Sequence, residues 1–208
     1  MIRLYNLLFI ISIIIVGCKT REIDNKTINQ SINSLFMNIY SNDGEKLLTI
    51  KSPQSNYDIK KNTFILDKTT IKLFNDNVSE YIITSDKSKL SNNNKLIELK
   101  GNVLVKSLIK QEDKLYSNSF TWDIEKSEFL LVGNVKFKNK LINLNSQKAI
   151  LNKNNSIIEF FNPVQYKLKD SNKENRYEVN SENAYYNLKT KSVSFKSKEQ
   201  RVRSKIYF

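Results

Sequence analysis

Few residues in this 208-residue chain have side chains suited to covalent or metal chemistry. The chain contains no histidine and a single cysteine, Cys18, which excludes Ser–His and Cys–His catalytic pairs, disulfides and thiolate metal clusters. A glycosidase would need two carboxylates in one cleft. Asp123 with Glu125 or Glu159 could be nominated, but these residues fall at predicted turns or alternate with apolar positions, as surface residues do. We therefore predict a protein that is not an enzyme and has no cofactor and no metal site.

Cys18 stands at the end of an N-terminal segment with the features of a secretion signal. A positive start, Met1–Arg3, precedes the apolar stretch Leu4–Val16, whose uninterrupted core is short for a bilayer span of about 20 residues. Two aliphatic residues, Gly17 and the cysteine then form the pattern of a bacterial lipobox, in which the thiol is alkylated with a diacylglyceryl group before cleavage. We predict a lipoprotein signal peptide over residues 1–18 and a lipid anchor at Cys18. An uncleaved signal anchor with an incidental cysteine is the alternative.

The net charge of the chain is +13, from 34 Lys and Arg against 21 Asp and Glu. Such a balance can indicate nucleic acid, an anionic membrane surface or an acidic ligand as partner. The basic residues are scattered singly among Ser, Asn and acidic residues and form no stripe, so we predict that nucleic acid is not a partner. Hydrophobic residues make up 39% of the chain, which is enough apolar material for one folded domain.

Residues 19–34 are polar and rich in Asn, Thr and Lys, which predicts a tether in front of a folded domain over residues 35–208. From Leu35 onward, β-branched and aromatic residues alternate with polar ones, and this period of two indicates β-strands. Asn42-Asp43-Gly44 lies between two such runs and is a strong hairpin signal. The folded domain is therefore predicted to be all-β.

The domain repeats a unit of strand, polar turn, strand and glycine corner. Each unit begins with a triplet that runs from an apolar residue to a serine, and these triplets are Ile83–Ser85, Leu115–Ser117, Leu144–Ser146 and Val179–Ser181. Three units end at Gly101-Asn102-Val103, Gly133-Asn134-Val135 and Asn162-Pro163-Val164. Because glycine accepts a positive φ where a strand must bend or bulge, we assign Gly101 and Gly133 to structural corners.

The predicted buried face changes midway along the first strand of a unit. Ile83 and Ser85 share one face, whereas Ser88 and Leu90 share the other. A strand that changes its buried face needs a bulge or a crossing between two sheets. This favours an open sandwich or roll of repeated antiparallel two-stranded units over a flat, single-sheet meander.

These motifs resemble the LptC family of lipopolysaccharide export proteins, within the wider OstA-like β-jellyroll group. A repeated Leu-x-Gly-Asn-Val pattern marks the wider group, and it occurs at Leu99–Val103 and Leu131–Val135. The front end indicates the LptC family itself, through Met37-Asn38-Ile39-Tyr40 before Gly44, then Tyr57, Phe64-Ile65-Leu66 and Ile71-x-Leu73-Phe74. The resemblance implies a single twisted β-jellyroll. The best-known members keep an uncleaved transmembrane anchor, whereas this sequence predicts lipidation at Cys18.

The resemblance implies a non-enzymatic conduit on the periplasmic side of the inner membrane. Such a protein takes lipopolysaccharide from an inner-membrane ABC transporter and passes it to a periplasmic bridge protein, and open edges of the roll would pair with these neighbours by strand addition. Acyl chains would lie in an apolar groove, held by non-directional burial. The groove residues that we predict are the apolar residues of the second strands: Ile97, Leu99, Val103, Phe129, Leu131, Val135, Phe137, Ile158, Phe160 and Val164.

Two other functions stay open at this point. A structural β-repeat surface lipoprotein would need the same apolar columns for its own core, and an LptA-like bridge protein could carry its own lipid anchor. Trp122 and Tyr186 have the other parity and are alternative lining residues. A transporter should crosslink to glycolipid through Phe129 or Phe160, whereas a structural protein should not. The sequence leaves open whether the basic C-terminal tail forms a last strand.

Overall fold

The computed structural model describes residues 29–109, 113–152, 156–169, 175–198 and 201–207. This part of the chain forms one antiparallel sheet of 12 strands and contains no helix. The strands are β1 (Asn29–Tyr40), β2 (Lys46–Asp58), β3 (Thr63–Asn75), β4 (Val78–Ser91), β5 (Leu96–Ser107), β6 (Lys114–Asp123), β7 (Glu128–Lys138), β8 (Ile142–Asn152), β9 (Ile157–Lys169), β10 (Asn175–Asn187), β11 (Val193–Lys196) and β12 (Arg203–Ile206). The all-β prediction is confirmed.

Each strand pairs with the next one along the chain, in the order β1 to β11, and β12 pairs with β10. Where the connecting residues are described, short turns join these antiparallel neighbours. The turn at Asn42-Asp43-Gly44 joins β1 to β2 as predicted, with Gly44 at a φ of +83° and its N–H donating to the Ser41 carbonyl over 3.1 Å. The repeated two-stranded units of the sequence are therefore consecutive hairpins of one sheet.

The register between neighbouring strands shifts near the middle of every strand from β4 to β10. Gly101 and Gly133 lie at two of these shifts, with φ angles of +77° and +80°. Asn102 and Asn134 follow them with φ angles of +45° and +49°. Glycine, and next to it asparagine, adopts such angles most readily. Both glycines therefore lie where the strands bend.

The buried face of a strand changes at the same place as its register. In β4, Ile83, Ser85, Ser88 and Leu90 are all buried, although the first two have the opposite parity from the last two. A bulge inserts an extra residue and bends the strand, so the same side of the sheet stays inward on both sides of the bend. The bulges of neighbouring strands line up, and the sheet bends along this line, which we call the crease.

The crease divides the sheet into two layers. Every strand from β4 to β10 crosses the crease and so contributes residues to both layers. Layer A includes residues 96–100, 128–132 and 157–161, and layer B includes residues 103–107, 135–138 and 164–169. Phe137 of layer B packs on two rings of layer A, with centroid separations of 4.8 Å to Tyr186 and 6.5 Å to Phe160. The rings of Tyr166 in layer B and Phe195 in β11 similarly pack with centroids 5.2 Å apart. The layers thus pack face to face, as the parity change predicts.

The sheet begins earlier than the predicted domain. β1 starts at Asn29, so the assignment of residues 29–34 to the tether was wrong. This segment pairs with residues 54–58 of β2, and the Ser55 hydroxyl donates to the Ile32 carbonyl over 3.2 Å. Backbone hydrogen bonds hold the segment in the sheet, while its mostly polar side chains give no alternating pattern from which a strand could be predicted.

The predicted signal peptide (residues 1–18), its Cys18 and tether residues 19–28 lie outside the described residues. Within the described ranges, no helix has the length and apolarity needed to cross a membrane. The account of the fold therefore concerns the sheet that begins at Asn29.

The basic C-terminal tail forms a last strand in two parts. β11 pairs with residues 183–186 of β10 in layer A, and β12 pairs with residues 177–180 of β10 in layer B. Glu182 connects to the segment between them, because its N–H donates to Ser197 Oγ over 3.1 Å and its Oε2 accepts from the Lys198 N–H over 2.9 Å. The tail therefore extends both layers at this edge.

Candidate functional site

The residues predicted to line a groove all face the space between layers A and B, which we call the interior. Their exposed fractions lie between 0% and 7%. Layer A supplies Ile97, Leu99, Phe129, Leu131, Ile158 and Phe160, and layer B supplies Val103, Val135, Phe137 and Val164. The fold therefore gathers residues that are far apart in the sequence onto two facing apolar surfaces.

Trp122 and Tyr186 face the same interior as the predicted groove residues. The register places Trp122 between Ile97 and Phe129, and it places Tyr186 beside Ile158. The Trp122 and Phe129 rings pack with centroids 5.1 Å apart. The bulge in each strand changes which set of alternate residues faces inward. Residues of both sets therefore line the same interior.

Side chains of the protein fill the interior in this conformation. Leu131 and Phe160 have exposed fractions of 1% and 0%. The two best-formed depressions of the described surface lie elsewhere, one of about 300 Å³ beside Phe36 and Lys51 and one of about 210 Å³ beside Ile65. Close packing of this kind leaves little space between the layers for a further chain.

A line of buried serines follows the crease. Their hydroxyl groups donate to the backbone carbonyl two residues further on, over 2.6 to 3.3 Å. These residues are Ser52, Ser85, Ser117, Ser146 and Ser181. Four of these bonds, those of Ser85, Ser117, Ser146 and Ser181, close the backbone around a bulge and so stabilise the bend. Ser85, Ser117, Ser146 and Ser181 end the repeated triplets of the sequence, but their role in the crease was not predicted.

The other side of the crease has no room for a side chain at its glycines. A Cβ on Gly101 would lie 2.5 Å from Oδ2 of Asp86, and a Cβ on Gly133 would lie 2.8 Å from Nδ2 of Asn118. Asn102 Nδ2 donates to the same Asp86 oxygen over 2.8 Å. The positive φ therefore favours glycine at these corners, and an added Cβ would also require the Asp86 or Asn118 side chain to shift.

The carboxylates considered as a catalytic pair belong to surface contacts. Asp123 accepts the Lys126 N–H over 3.1 Å and lies 3.0 Å from Lys126 Nζ, and these two hydrogen bonds lower the pKa of Asp123. Glu125 pairs with Lys95, and Glu159 lies on the outer face of β9. Asp123 thus closes the turn between β6 and β7 and shares no cleft with the other two residues.

The chain matches one protein family over most of its length. The matching model is described as "LptC: Lipopolysaccharide-assembly, LptC-related", and it covers residues 4–143. The chain belongs to this family. Membership supports a role in lipopolysaccharide transport, and it confirms the resemblance drawn from the sequence motifs.

Comparison with solved structures and with curated proteins adds little to the family match. One similar structure is LptH of Pseudomonas aeruginosa, described as the LptA homologous periplasmic component of the conserved lipopolysaccharide transport device. It is 9% identical, the similarity covers 77% of this chain and 94% of that chain, and the TM-score is 0.39. No curated protein matches the chain.

The two edges of this LptC-related sheet differ in character. β1 carries no charged residue, and its Phe36 and Tyr40 are 58% and 55% exposed. At the opposite edge, β11 and β12 carry Lys196, Arg203 and Lys205. Charged side chains commonly protect an edge strand from pairing with other chains, and β1 lacks this protection. β1 is therefore the edge better suited to accept a further strand.

Proposed function

We propose that this protein is a membrane-anchored periplasmic component of lipopolysaccharide export, which holds the acyl chains of lipopolysaccharide in the interior between layers A and B. It takes the lipid from an inner-membrane ABC transporter and passes it to a periplasmic bridge protein. The observation that carries the proposal is the continuous apolar interior between two layers of an open-edged sheet in a chain of the LptC-related family.

An apolar interior suits a lipid that must be passed on. Burial of hydrocarbon contributes about 25 cal/mol per Å² and has no preferred direction. Rows of apolar residues such as Ile97, Phe129 and Ile158 would therefore hold an acyl chain without fixing its position along the row. The lipid could then move through the protein without breaking a specific bond at each step.

Opening of the interior is compatible with the pattern of backbone hydrogen bonds. Between β4 and β10, the ladders lie within layer A or within layer B, and the register shifts at the crease separate the two sets. Contacts between layers are made by side chains such as Phe137 and Tyr186. If the layers part about the crease, the apolar contacts that are lost can be replaced by contacts with acyl chains, and the ladders stay intact.

Strand addition at the two edges supplies the proposed connection to neighbours. An incoming strand would continue the backbone ladder of β1 at one edge, or that of β11 and β12 at the other. In the order of the sheet, the interior of this protein would then join the interior of a neighbour with a similar fold. Lipid could pass between proteins without meeting water.

The anchor is proposed at Cys18. A diacylglyceryl group on its thiol would hold the protein at the periplasmic side of the inner membrane, because each buried CH₂ group contributes about 0.8 kcal/mol and two chains anchor stably. The apolar segment Leu4–Val16 before Gly17 supports this proposal. The family match begins at residue 4 and so includes that segment.

Photo-crosslinking in cells tests the proposed binding of lipid. A photoreactive amino acid replaces Phe129 or Phe160, both of which face the interior, and the protein is irradiated and probed for lipopolysaccharide. Val132, which lies on the outer face of β7 and is 43% exposed, is the matched control. We expect a lipopolysaccharide adduct from the two interior positions and none from position 132.

A structural β-repeat lipoprotein is the second candidate, and the close packing of the interior favours it. In that case Phe129 and Phe160 would crosslink only within the protein, and no lipid adduct would form at any of the three positions. Equal adducts at positions 129 and 132 would instead indicate lipid on the outer surface. Either result would contradict the proposed route through the interior.

A further inference from the structure

Tyr186 connects the two layers near the end of β10. The residue belongs to layer A, its exposed fraction is 1%, and its ring centroid lies 4.8 Å from that of Phe137 in layer B. The ring therefore lies across the seam at which the layers would part. Its apolar packing resembles that of the phenylalanines around it, but it carries a hydroxyl group.

The Tyr186 hydroxyl is buried and has no hydrogen-bond partner within the described part of the chain. A buried hydroxyl without a partner destabilises a protein by about 1–3 kcal/mol, and phenylalanine would fill nearly the same space without this cost. Burial, followed by the nearby Asp113 and Tyr166, raises the pKa of Tyr186 to about 12. At neutral pH the group therefore stays protonated and can donate a hydrogen bond.

The surroundings of Tyr186 change from apolar to charged over a short distance. Lys191 Nζ lies 5.6 Å from the centroid of the Tyr186 ring and 3.9 Å from Oδ2 of Asp113. Both of these charged side chains are partly exposed, whereas Phe137, which also packs on the ring, is buried. Tyr186 thus lies at the boundary between the apolar interior and a polar rim.

We propose that the Tyr186 hydroxyl donates a hydrogen bond to the carbonyl oxygen of the ester or amide group that joins an acyl chain to the sugar of the bound glycolipid. This inference rests on the proposed function and adds a group that recognises one part of the lipid. In an acylated sugar, that carbonyl lies between the hydrocarbon and the charged head group, which matches the position of Tyr186. A neutral acceptor fits better than a phosphate, because the Lys191 ammonium group, 5.6 Å from the centroid of the Tyr186 ring, already lies beside Asp113.

The test compares two lipids and two variants of the full chain. Binding is measured for an acylated, phosphorylated diglucosamine lipid and for an analogue in which ether links replace the ester and amide links. Tyr186→Phe removes the donor, and Tyr185→Phe removes the hydroxyl of the neighbouring tyrosine on the outer face of β10. We expect Tyr186→Phe to weaken binding of the acylated lipid about tenfold, the effect of one hydrogen bond in a water-excluded site.

Tyr186→Phe should leave the affinity for the ether analogue unchanged, and Tyr185→Phe should leave both affinities unchanged. The melting temperature of Tyr186→Phe should equal or exceed that of the original protein. Equal binding of the acylated lipid by the original chain and by Tyr186→Phe would overturn this inference alone, as would a fall of several degrees in melting temperature. If the original chain binds neither lipid, the proposed function fails and this inference fails with it.

Discussion

Single residues determine where this sheet bends. The corners need a residue that tolerates a positive φ and leaves space for the facing strand, and Gly101 and Gly133 meet both needs. Buried serines stabilise the bulge from the interior side. The Ser117 hydroxyl, for example, donates a hydrogen bond to the Ser119 carbonyl over 2.9 Å. The bend is therefore encoded in a few small residues.

Gly133→Ala should lower the free energy of unfolding by about 2–4 kcal/mol. Alanine at a φ of +80° costs about 1 kcal/mol or more, and its Cβ would also lie 2.8 Å from Asn118 Nδ2. Gly44→Ala is the matched control, because Gly44 has a φ of +83° but no atom within 4 Å of the added Cβ. Urea unfolding of both variants measures the difference, and an equal loss in the two would contradict the close contact at the crease.

Tyr186 should make the protein sensitive to alkaline pH. Its folded pKa of about 12 lies above the ordinary value of 10.0, so the unfolded chain loses this proton first and the folded state becomes less stable as the pH rises from about 10 to about 12. Tyr186→Phe removes this contribution. Its melting temperature, relative to that of the original protein, should be higher at about pH 11 than at about pH 8. A constant difference would mean that the pKa of Tyr186 is not raised.

At the scale of elements, the edges of the sheet differ from its centre. Central strands bury every second residue, whereas β12 buries none and β11 packs only Val193 and Phe195 against the core. Edge strands of this kind are held mainly by the backbone ladder. Their sequences therefore carry little of the apolar alternation that identifies the central strands.

Removal of β12 should destabilise the protein much less than removal of β11 and β12 together. Deletion of residues 201–208 removes a strand with no buried side chain and should lower the free energy of unfolding by about 1 kcal/mol or less. Deletion of residues 193–208 also removes the packing of Phe195 on Tyr166, so we expect a loss of about 2–4 kcal/mol. Denaturant unfolding of the two truncated chains measures both losses, and equal losses would contradict the contribution assigned to Phe195.

At the scale of the whole molecule, the sheet is bent into two packed layers with an apolar inner surface and a charged outer surface. The net charge of +13 lies mainly on solvated side chains, and ion pairs such as Lys89–Glu98 and Lys167–Glu178 are on outer faces. The proposed lipid site depends instead on hydrocarbon burial. The charge and the site can therefore be separated experimentally.

Binding of lipopolysaccharide should depend little on salt. Apolar burial is almost unaffected by ionic strength, so we expect the Kd to change less than about threefold between about 50 and about 300 mM salt. A lipid held by several Lys–phosphate contacts would bind at least about tenfold more weakly at the higher salt concentration. A titration at the two salt concentrations measures this difference, and a strong salt effect would assign the binding to the basic surface.

Some parts of the fold were predictable because they depend on local chemistry. Asn42-Asp43-Gly44 and the corner at Gly101 specify their backbone angles through residue type, and the structure has them as predicted. The first strand was predicted to begin too far along the chain. Residues 29–34 pair through their backbone and show no apolar pattern from which a strand could be predicted. The pairing of the tail with β10 was left open for a related reason, since all residues of β12 are exposed.

The sequence by itself determined the central strands, the repeat and the family, because each depends on residue types at fixed spacings along the chain. Only the tertiary structure decided that Trp122 and Tyr186 share one interior with Phe129, and that this interior is closed by the protein's own side chains. It also decided that the Tyr186 hydroxyl lies buried at the seam between the layers. Contacts between the layers join residues distant in sequence, and a periodic pattern fixes which side of a strand faces inward but not what it meets there.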